Sequence, residues 1–235
     1  MKNRFTICLL FLLLTPSLMQ GQAAILALIF GDKVATENFN LSMEIGGNFT
    51  HYSNLENFDR TRLGINFGIS GNIKVSESFY ISPSIFFLGD RNIKIDNISL
   101  QTSSPSLNEN FNNVSAELNM NYYDVPILFS YLNKKGTIKY SLGPQISFLK
   151  SSDMVYLGEE GEFTEDFKYN TKSNDFGFIA DVAYIFRNFK GSKDMHIHAR
   201  YYYGTQDVFK SNFSSATNKS GYFSVVLSFP FIKKD

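Results

Sequence analysis

The chain has 235 residues, a length that fits one ordinary domain. Its 22 basic residues balance its 22 acidic residues, and this neutrality argues against a nucleic-acid partner, which would need a basic patch. Aromatic residues make up 16% of the chain, all Phe and Tyr, and the single cysteine is Cys8. Beyond the first thirty positions no apolar run is long enough for a transmembrane helix. A membrane β-barrel remains a possible fold, because strands with alternating apolar residues do not raise the average hydropathy.

The N-terminus has the pattern of a secretory signal peptide, which we predict for residues 1–22. Lys2 and Arg4 precede an apolar stretch from Phe5 to Leu14, and small or polar residues follow. Residues 23–36 begin with a second apolar run that is too short to span a bilayer as a helix. We predict a short apolar periplasmic segment there, either helical against the end of the next domain or lying at the membrane surface. The chain is therefore expected to be exported to the cell envelope.

Residues 37–231 alternate between apolar and polar side chains in stretches of about ten residues, which is the period of a β-strand with one apolar face. The clearest stretch places Leu63, Ile65 and Phe67 on one face and Gly64 and Asn66 on the other. Eight such stretches occur, and the connections between them are alternately short and long. This arrangement predicts an all-β fold, an eight-stranded antiparallel up-and-down transmembrane β-barrel of the outer membrane.

Aromatic residues on the apolar faces recur eight positions apart. The pairs are Phe79 and Phe87, Tyr123 and Tyr131, Tyr140 and Phe148, and Phe176 and Tyr184. Eight residues of a tilted strand span roughly 20 Å along the membrane normal, close to the roughly 25 Å apolar band of such barrels. A soluble sandwich would also alternate, but it would not need aromatic rims, so the spacing favours the membrane barrel.

Two expectations concern interruptions of the strands. Pro83, Pro126 and Pro144 each remove one ladder donor, so we expect them at bulges or near strand ends. The stretch from Arg91 to Leu118 is rich in Asn and Ser, and the stretch from Asp153 to Asp166 is acidic. Both stretches are predicted to be long polar loops outside the membrane.

Three short motifs resemble a known family. They are Tyr122–Ile127 (YYDVPI), Leu142–Pro144 (LGP) and Arg200–Gly204 (RYYYG). The pattern resembles the PorT-like outer-membrane β-barrel proteins over about residues 37 to 231. The resemblance implies an eight-stranded outer-membrane barrel with both termini in the periplasm. It implies little about activity, although some relatives assist a dedicated protein-secretion and gliding machinery.

The polar faces carry charged side chains that would point into the barrel. An eight-stranded barrel has an interior just wide enough for side chains to fill, so buried charges there must be paired. We predict a lumen network of eight residues: Glu44, Arg62, Asp124, Lys139, Asp181, His196, His198 and Arg200. Lys74 and Asp175 also point inward by the same period. In particular, Asp181 or Glu44 is expected to reach the guanidinium of Arg200.

The sequence favours a non-enzymatic protein without metal or cofactor. His196 and His198 share one strand face, which would suit zinc only with a third ligand from a neighbouring strand. No nucleophile motif accompanies the acidic loop. The predicted function is a structural or interaction barrel with a filled lumen, in contact with outer-membrane lipid and with other envelope or secretion proteins as partners. The alternative is a narrow porin-like conduit for ions or small solutes.

Overall fold

The computed structural model describes residues 38–159, 161–186 and 194–232. In these residues the strands are β1 (Phe39–Tyr52), β2 (Phe58–Thr61), β3 (Leu63–Lys74), β4 (Phe79–Ile98), β5 (Val114–Leu132), β6 (Ile138–Gly158), β7 (Gly161–Asp166), β8 (Asn174–Phe186), β9 (Met195–Asp207) and β10 (Lys219–Ile232). A short helix, α1 (Pro105–Asn110), lies between β4 and β5, and a 3₁₀ turn (Lys168–Asn170) precedes β8. None of the described helices is long and apolar enough to cross a membrane. The predicted segments 1–22 and 23–36 lie outside the described residues.

Eight of the strands close into a ring of antiparallel pairs. The order around the ring is β1, β3, β4, β5, β6, β8, β9 and β10, and β10 pairs back with β1. The two short strands stand outside this ring, because β2 pairs only with β4 and β7 only with β6. The predicted all-β antiparallel barrel is therefore confirmed, with ten described strands rather than eight. We call the end with the short β3–β4 and β5–β6 turns the inner end, and the opposite end the outer end.

Along the ring strands, outward apolar side chains alternate with inward small or polar ones. The exposed apolar residues include Ile45, Leu63, Ile65, Phe67, Phe79, Ile127, Phe129, Leu142, Phe178, Val182, Tyr203, Phe223 and Val225. Phe79, Tyr131 and Tyr140 are aligned by the register near the inner end, and Tyr123 pairs with Phe148 nearer the outer end. Aromatic side chains thus lie at two heights, as the eight-residue spacing predicted. The ring has the polarity of a membrane wall.

Beyond this wall, β4 and β6 continue through segments that the sequence predicted to be loops. At the edge of the wall each strand contains an extra residue, between Phe86 and Asp90 in β4 and at Lys150 in β6, and β4 contains a further one between Ile95 and Ile98. A β-bulge of this kind shifts every later side chain to the opposite face. The prediction of long loops at 91–118 and 153–166 is therefore wrong, since among the described residues most of both stretches lies in strands, and β4 ends at Ile98 and β5 begins at Val114.

Beyond Arg91, most side chains that face inward after the bulges are apolar. Together with the connections above them they form a buried cluster, which we call the outer cap: Tyr52, Ile93, Ile95, Leu100, Phe111, Ala116, Leu118, Met120, Tyr122, Met154, Tyr156, Phe167, Val208 and Phe209. The outward residues of the same segments are polar, for example Asn92, Lys94 and Glu117. The cap has the apolar-in, polar-out pattern of a water-soluble sheet, and it covers the outer end of the lumen.

The three prolines lie inside unbroken register. Pro83 pairs with Ile127, Pro126 with Gln145 and Pro144 with Phe178. Two pairs are missing after Pro83 in the β4–β5 ladder and after Pro126 in the β5–β6 ladder, but the register on both sides is the same. The expectation that they mark bulges or strand ends is wrong. Proline has a fixed φ that an extended strand accommodates, so each costs only one ladder donor within a long strand pair.

Candidate functional site in the barrel lumen

Arg91 on β4 is fully buried inside the barrel. Its Nη2 donates to Asp124 Oδ1 at 2.8 Å and to Ser147 Oγ at 2.7 Å. Its Nη1 donates to Asp175 Oδ2 at 2.7 Å. Two carboxylates therefore hold one guanidinium through short charge-assisted hydrogen bonds, which a charge in a buried site requires.

Three tyrosine rings surround the same guanidinium. Arg91 Cζ lies 4.1 Å from the ring centroid of Tyr122, 5.1 Å from that of Tyr202 and 5.2 Å from that of Tyr222. These distances suit cation–π attraction, which is strongest where water is excluded. We call Arg91, Asp124, Ser147 and Asp175 the Arg91 layer. Its members come from β4, β5, β6 and β8, so the layer crosses the lumen.

A second ion-pair layer lies nearer the inner end. Arg200 Nε donates to Asp181 Oδ2 at 3.1 Å, and Arg200 Nη2 donates to Glu44 Oε2 at 3.3 Å. His198 Nδ1 lies 3.0 Å from both carboxylate oxygens of Asp181. All four side chains are buried. We call them the Arg200 layer, and they are four of the eight residues predicted for the lumen.

Between the two layers the lumen is filled by bulky side chains. Leu128, Ile179, Tyr202 and Tyr222 form a buried cluster, in which the two tyrosine rings stack with centroids 4.8 Å apart. Tyr222 Oη donates to Gln145 Oε1 at 3.1 Å, so its polar end is satisfied within the lumen. A layer of bulky, mainly aromatic side chains therefore separates the two ion-pair layers.

The other four predicted lumen residues lie apart from the Arg200 layer. Asp124 belongs to the Arg91 layer, and Lys139 is buried towards the inner end. His196 lines the inner mouth, with its ring 6.0 Å from that of His198. Arg62 is not in the lumen, because it pairs with Glu117 at the outer end, where its side chain is 39% exposed. Arg62 precedes β3 and lies beyond the outer end of the ring, so its side chain does not point into the barrel.

Sequence reasoning missed Arg91, the central side chain of the lumen. The two-residue period of β4 breaks at the bulge after Phe86, so the strand was predicted to end there. The alternation does resume after the bulge, because Ile93 and Ile95 are apolar and Asn92 and Lys94 are polar, but it resumes on the same odd-numbered positions and so gives no sign of the extra residue. Extending β4 with one extra residue would have placed Arg91 inside the barrel.

The described residues contain no group of three or more His, Cys, Asp and Glu side chains arranged to hold a metal ion. His196 and His198 are therefore not joined there by further ligands of these types. What the lumen offers is a set of paired charges, hydroxyl groups and aromatic rings, an arrangement suited to holding the barrel walls together.

Several solved structures are distantly similar to this chain. No curated protein matches the sequence. Among solved structures, Ail, the attachment invasion locus protein of Yersinia pestis, is 11% identical, with a TM-score of 0.41 over 83% of this chain and 100% of that one. Neisserial surface protein A is 13% identical, with a TM-score of 0.41 over 82% and 97%. OprG of Pseudomonas aeruginosa is 9% identical, with a TM-score of 0.39 over 83% and 95%.

These structural similarities are distant, and the assignment comes from a sequence match that covers most of the chain. The family described as "Outer membrane protein beta-barrel domain" matches residues 22–210. That range includes β1 to β9 and both ion-pair layers. The chain therefore belongs to the outer membrane protein beta-barrel domain family and is a β-barrel protein of the outer membrane.

Proposed function

We propose that this protein is a non-enzymatic barrel with a side-chain-filled lumen, which acts as a structural or interaction component of the outer membrane. Its outward apolar band contacts membrane lipid. The observation that supports the proposal most is the Arg91 layer, in which one buried guanidinium is held by carboxylates on two other strands. A protein built for transport would need open space at this height.

Opening a path through the Arg91 layer would separate Arg91 from Asp124 and Asp175. Breaking a buried ion pair costs about 3–5 kcal/mol, because a charge is left without its partner. The outer cap adds a second obstacle, since its apolar side chains cover the same end of the lumen. Both features favour a barrel that stays closed.

Conductance in planar lipid bilayers tests this proposal. We expect the wild-type protein to insert without a steady single-channel current. Tyr222→Ala removes bulk between the two ion-pair layers and should produce at least brief current events. Phe223→Ala, at the adjacent lipid-facing position, is the matched control and should stay silent. A steady ohmic current through the wild-type protein would contradict the filled lumen.

The alternative is a narrow porin-like conduit, and one observation favours it. A cavity of about 260 Å³ opens at the inner mouth of the lumen, lined by Lys74, Lys139 and His196 among others. A conduit would have to continue from this cavity past Arg200 and Arg91. Selective current that responds to Arg200→Ala without loss of stability would support the conduit over the closed barrel.

The resemblance to PorT-like proteins supports a more specific role, as an accessory to a secretion or gliding assembly. The paired interior and the cap would then give a rigid platform that holds its surface in a fixed shape. If this role is right, removing the protein from its host should reduce protein secretion or gliding and leave small-solute uptake unchanged. The reverse pattern would favour the conduit.

A further inference from the structure

The cavity at the inner mouth, which we call the vestibule, is unlike the rest of the lumen because it is open. Its volume is about 260 Å³, whereas one water molecule occupies about 30 Å³ of liquid. It is lined by residues from all eight strands of the ring and by the turn at Gly136. The vestibule therefore has room for a small solute group together with water.

Lys139 brings a positive charge to the wall of the vestibule. Its side chain is buried, with the residue only 7% exposed, and it makes no ion pair within 4 Å among the described residues. The nearby carboxylates of Asp181 and Glu44 are already bound by the Arg200 guanidinium. A buried charge without a close counter-ion is costly, so an anion beside Lys139 would be stabilising.

The ammonium group of Lys139 is held in position by one amide. Its Nζ donates to Asn72 Oδ1 at 3.0 Å. Asn72 is itself fixed, because Ser82 Oγ donates to the same oxygen at 3.0 Å and Asn72 Nδ2 donates to Asn40 Oδ1 at 3.2 Å. An ammonium carries three donors, so hydrogens remain that can point towards the vestibule. The cation is preorganised for a ligand that accepts hydrogen bonds.

The other charges of the lining favour the same kind of ligand. Lys74 stands at the exposed edge of the vestibule, and Asp194 is the single carboxylate among its described lining residues. Two lysines against one aspartate leave a net positive charge when His196 is neutral. The amide nitrogens of Asn40 and Asn72 carry N–H groups that can donate to an oxyanion.

We propose that the vestibule binds the phosphate or carboxylate group of a periplasmic solute, with Lys139 as its main contact and Lys74 at the entrance. This site would be reached from the periplasm and would not require a path through the barrel. It goes beyond the structural role proposed above, and a closed lumen is compatible with it.

Titration of the full chain in detergent micelles with inorganic phosphate tests the proposal, and parallel titration with acetate separates the two anion classes. Calorimetry should show saturable binding of one or both. Amide chemical shifts of Asn72, Gly136 and Lys139 should move, and those of the outer cap should not. Absence of saturable binding of either anion by the wild-type chain would overturn the proposal.

Substitutions of three lysines at the inner end provide the matched set. Lys139→Gln should weaken binding at least tenfold. Lys74 lies at the exposed edge of the vestibule, where a substitution does not threaten folding, and Lys74→Gln should weaken binding at least threefold. Lys134→Gln removes the same charge from the exposed β5–β6 turn, outside the vestibule, and should leave affinity within twofold. Equal weakening by Lys74→Gln and Lys134→Gln would show a general charge effect and overturn the site.

Discussion

The membrane wall and the outer cap have opposite polarity, although the same strands build both. On β5, Ile127 points outward and is exposed to lipid, and its inward neighbour Asp124 is buried in the Arg91 layer. Higher on the same strand, Leu118 is fully buried inward and Glu117 points outward. The inward face of one strand is therefore polar where the outside is lipid, and apolar where the outside is water.

The two regions also differ in how their ion pairs are placed. In the wall, the pairs of Arg91 and Arg200 are buried inside the barrel. Around the cap they lie at the surface, as in the pair of Arg62 with Glu117. Buried pairs are strongly sensitive to loss of one partner, and exposed pairs contribute little. Matched substitutions in the two regions therefore test the comparison.

The largest effect is expected at Arg91. Arg91→Ala leaves two buried carboxylates without a partner, and the free energy of unfolding should fall by about 3–5 kcal/mol. Arg62→Ala removes an arginine from the exposed pair and should cost about 0–1 kcal/mol. Urea unfolding in lipid vesicles measures both values. Similar losses for the two variants would mean that the Arg91 layer is hydrated and open.

A somewhat smaller effect is expected when arginine replaces an outward residue of β6. The effect should depend on whether that residue lies inside or outside the apolar band. Leu142 is 61% exposed within the apolar band, where Arg costs about 2–4 kcal/mol. Val155 points outward above the band and pairs with Glu117, so Val155→Arg should change stability by less than about 0.5 kcal/mol. Folding yields into vesicles and urea unfolding compare Leu142→Arg with Val155→Arg. If Val155→Arg were the more harmful, the assignment of the cap to the aqueous side would be wrong.

The smallest effect concerns alkaline pH and the cap. Burial, and then the neighbouring Glu165 carboxylate, raise the pKa of Tyr156 above the ordinary value of tyrosine. The folded cap keeps this proton at a pH where the unfolded cap loses it, so the stabilisation is present below about pH 10 and declines above it. In Tyr156→Phe the alkaline loss of cap stability should be shallower, measured by limited proteolysis of the cap across this range.

Glu165→Gln sharpens this test, because it removes the carboxylate and leaves the burial of Tyr156 unchanged. Tyr156 Oη donates to Glu165 Oε2 at 3.3 Å. Burial is the larger cause of the raised pKa, so Glu165→Gln should flatten the alkaline decline less than Tyr156→Phe does. Identical pH profiles for the wild type and both variants would show that the cap does not hold Tyr156 in a protected site.

The sequence was sufficient to predict the wall but not the cap. A two-residue period needs no long-range information, so the outward face and the ring of strands followed from it. The approach of Asp181 and Glu44 to Arg200 was also predictable, because strands adjacent in an up-and-down barrel bring inward side chains together. The bulges after Phe86 and at Lys150 were not predictable, because one extra residue carries no characteristic side chain. Arg91 and the cap lie beyond those bulges.

The span of the Arg200 layer has a consequence for assembly. Arg200 on β9 bonds Asp181 on the adjacent β8 and Glu44 on β1, with β10 in between. The contact with Glu44 can form only when the first and last strands of the ring meet. The pair of Arg200 with Asp181 can already form on an open sheet, but Glu44 remains hydrated there, and closure must dehydrate Glu44 and pair it with Arg200 in a single event. Insertion of this barrel should accordingly end in an all-or-none step, in which the seam between β1 and β10 and the charged interior form together.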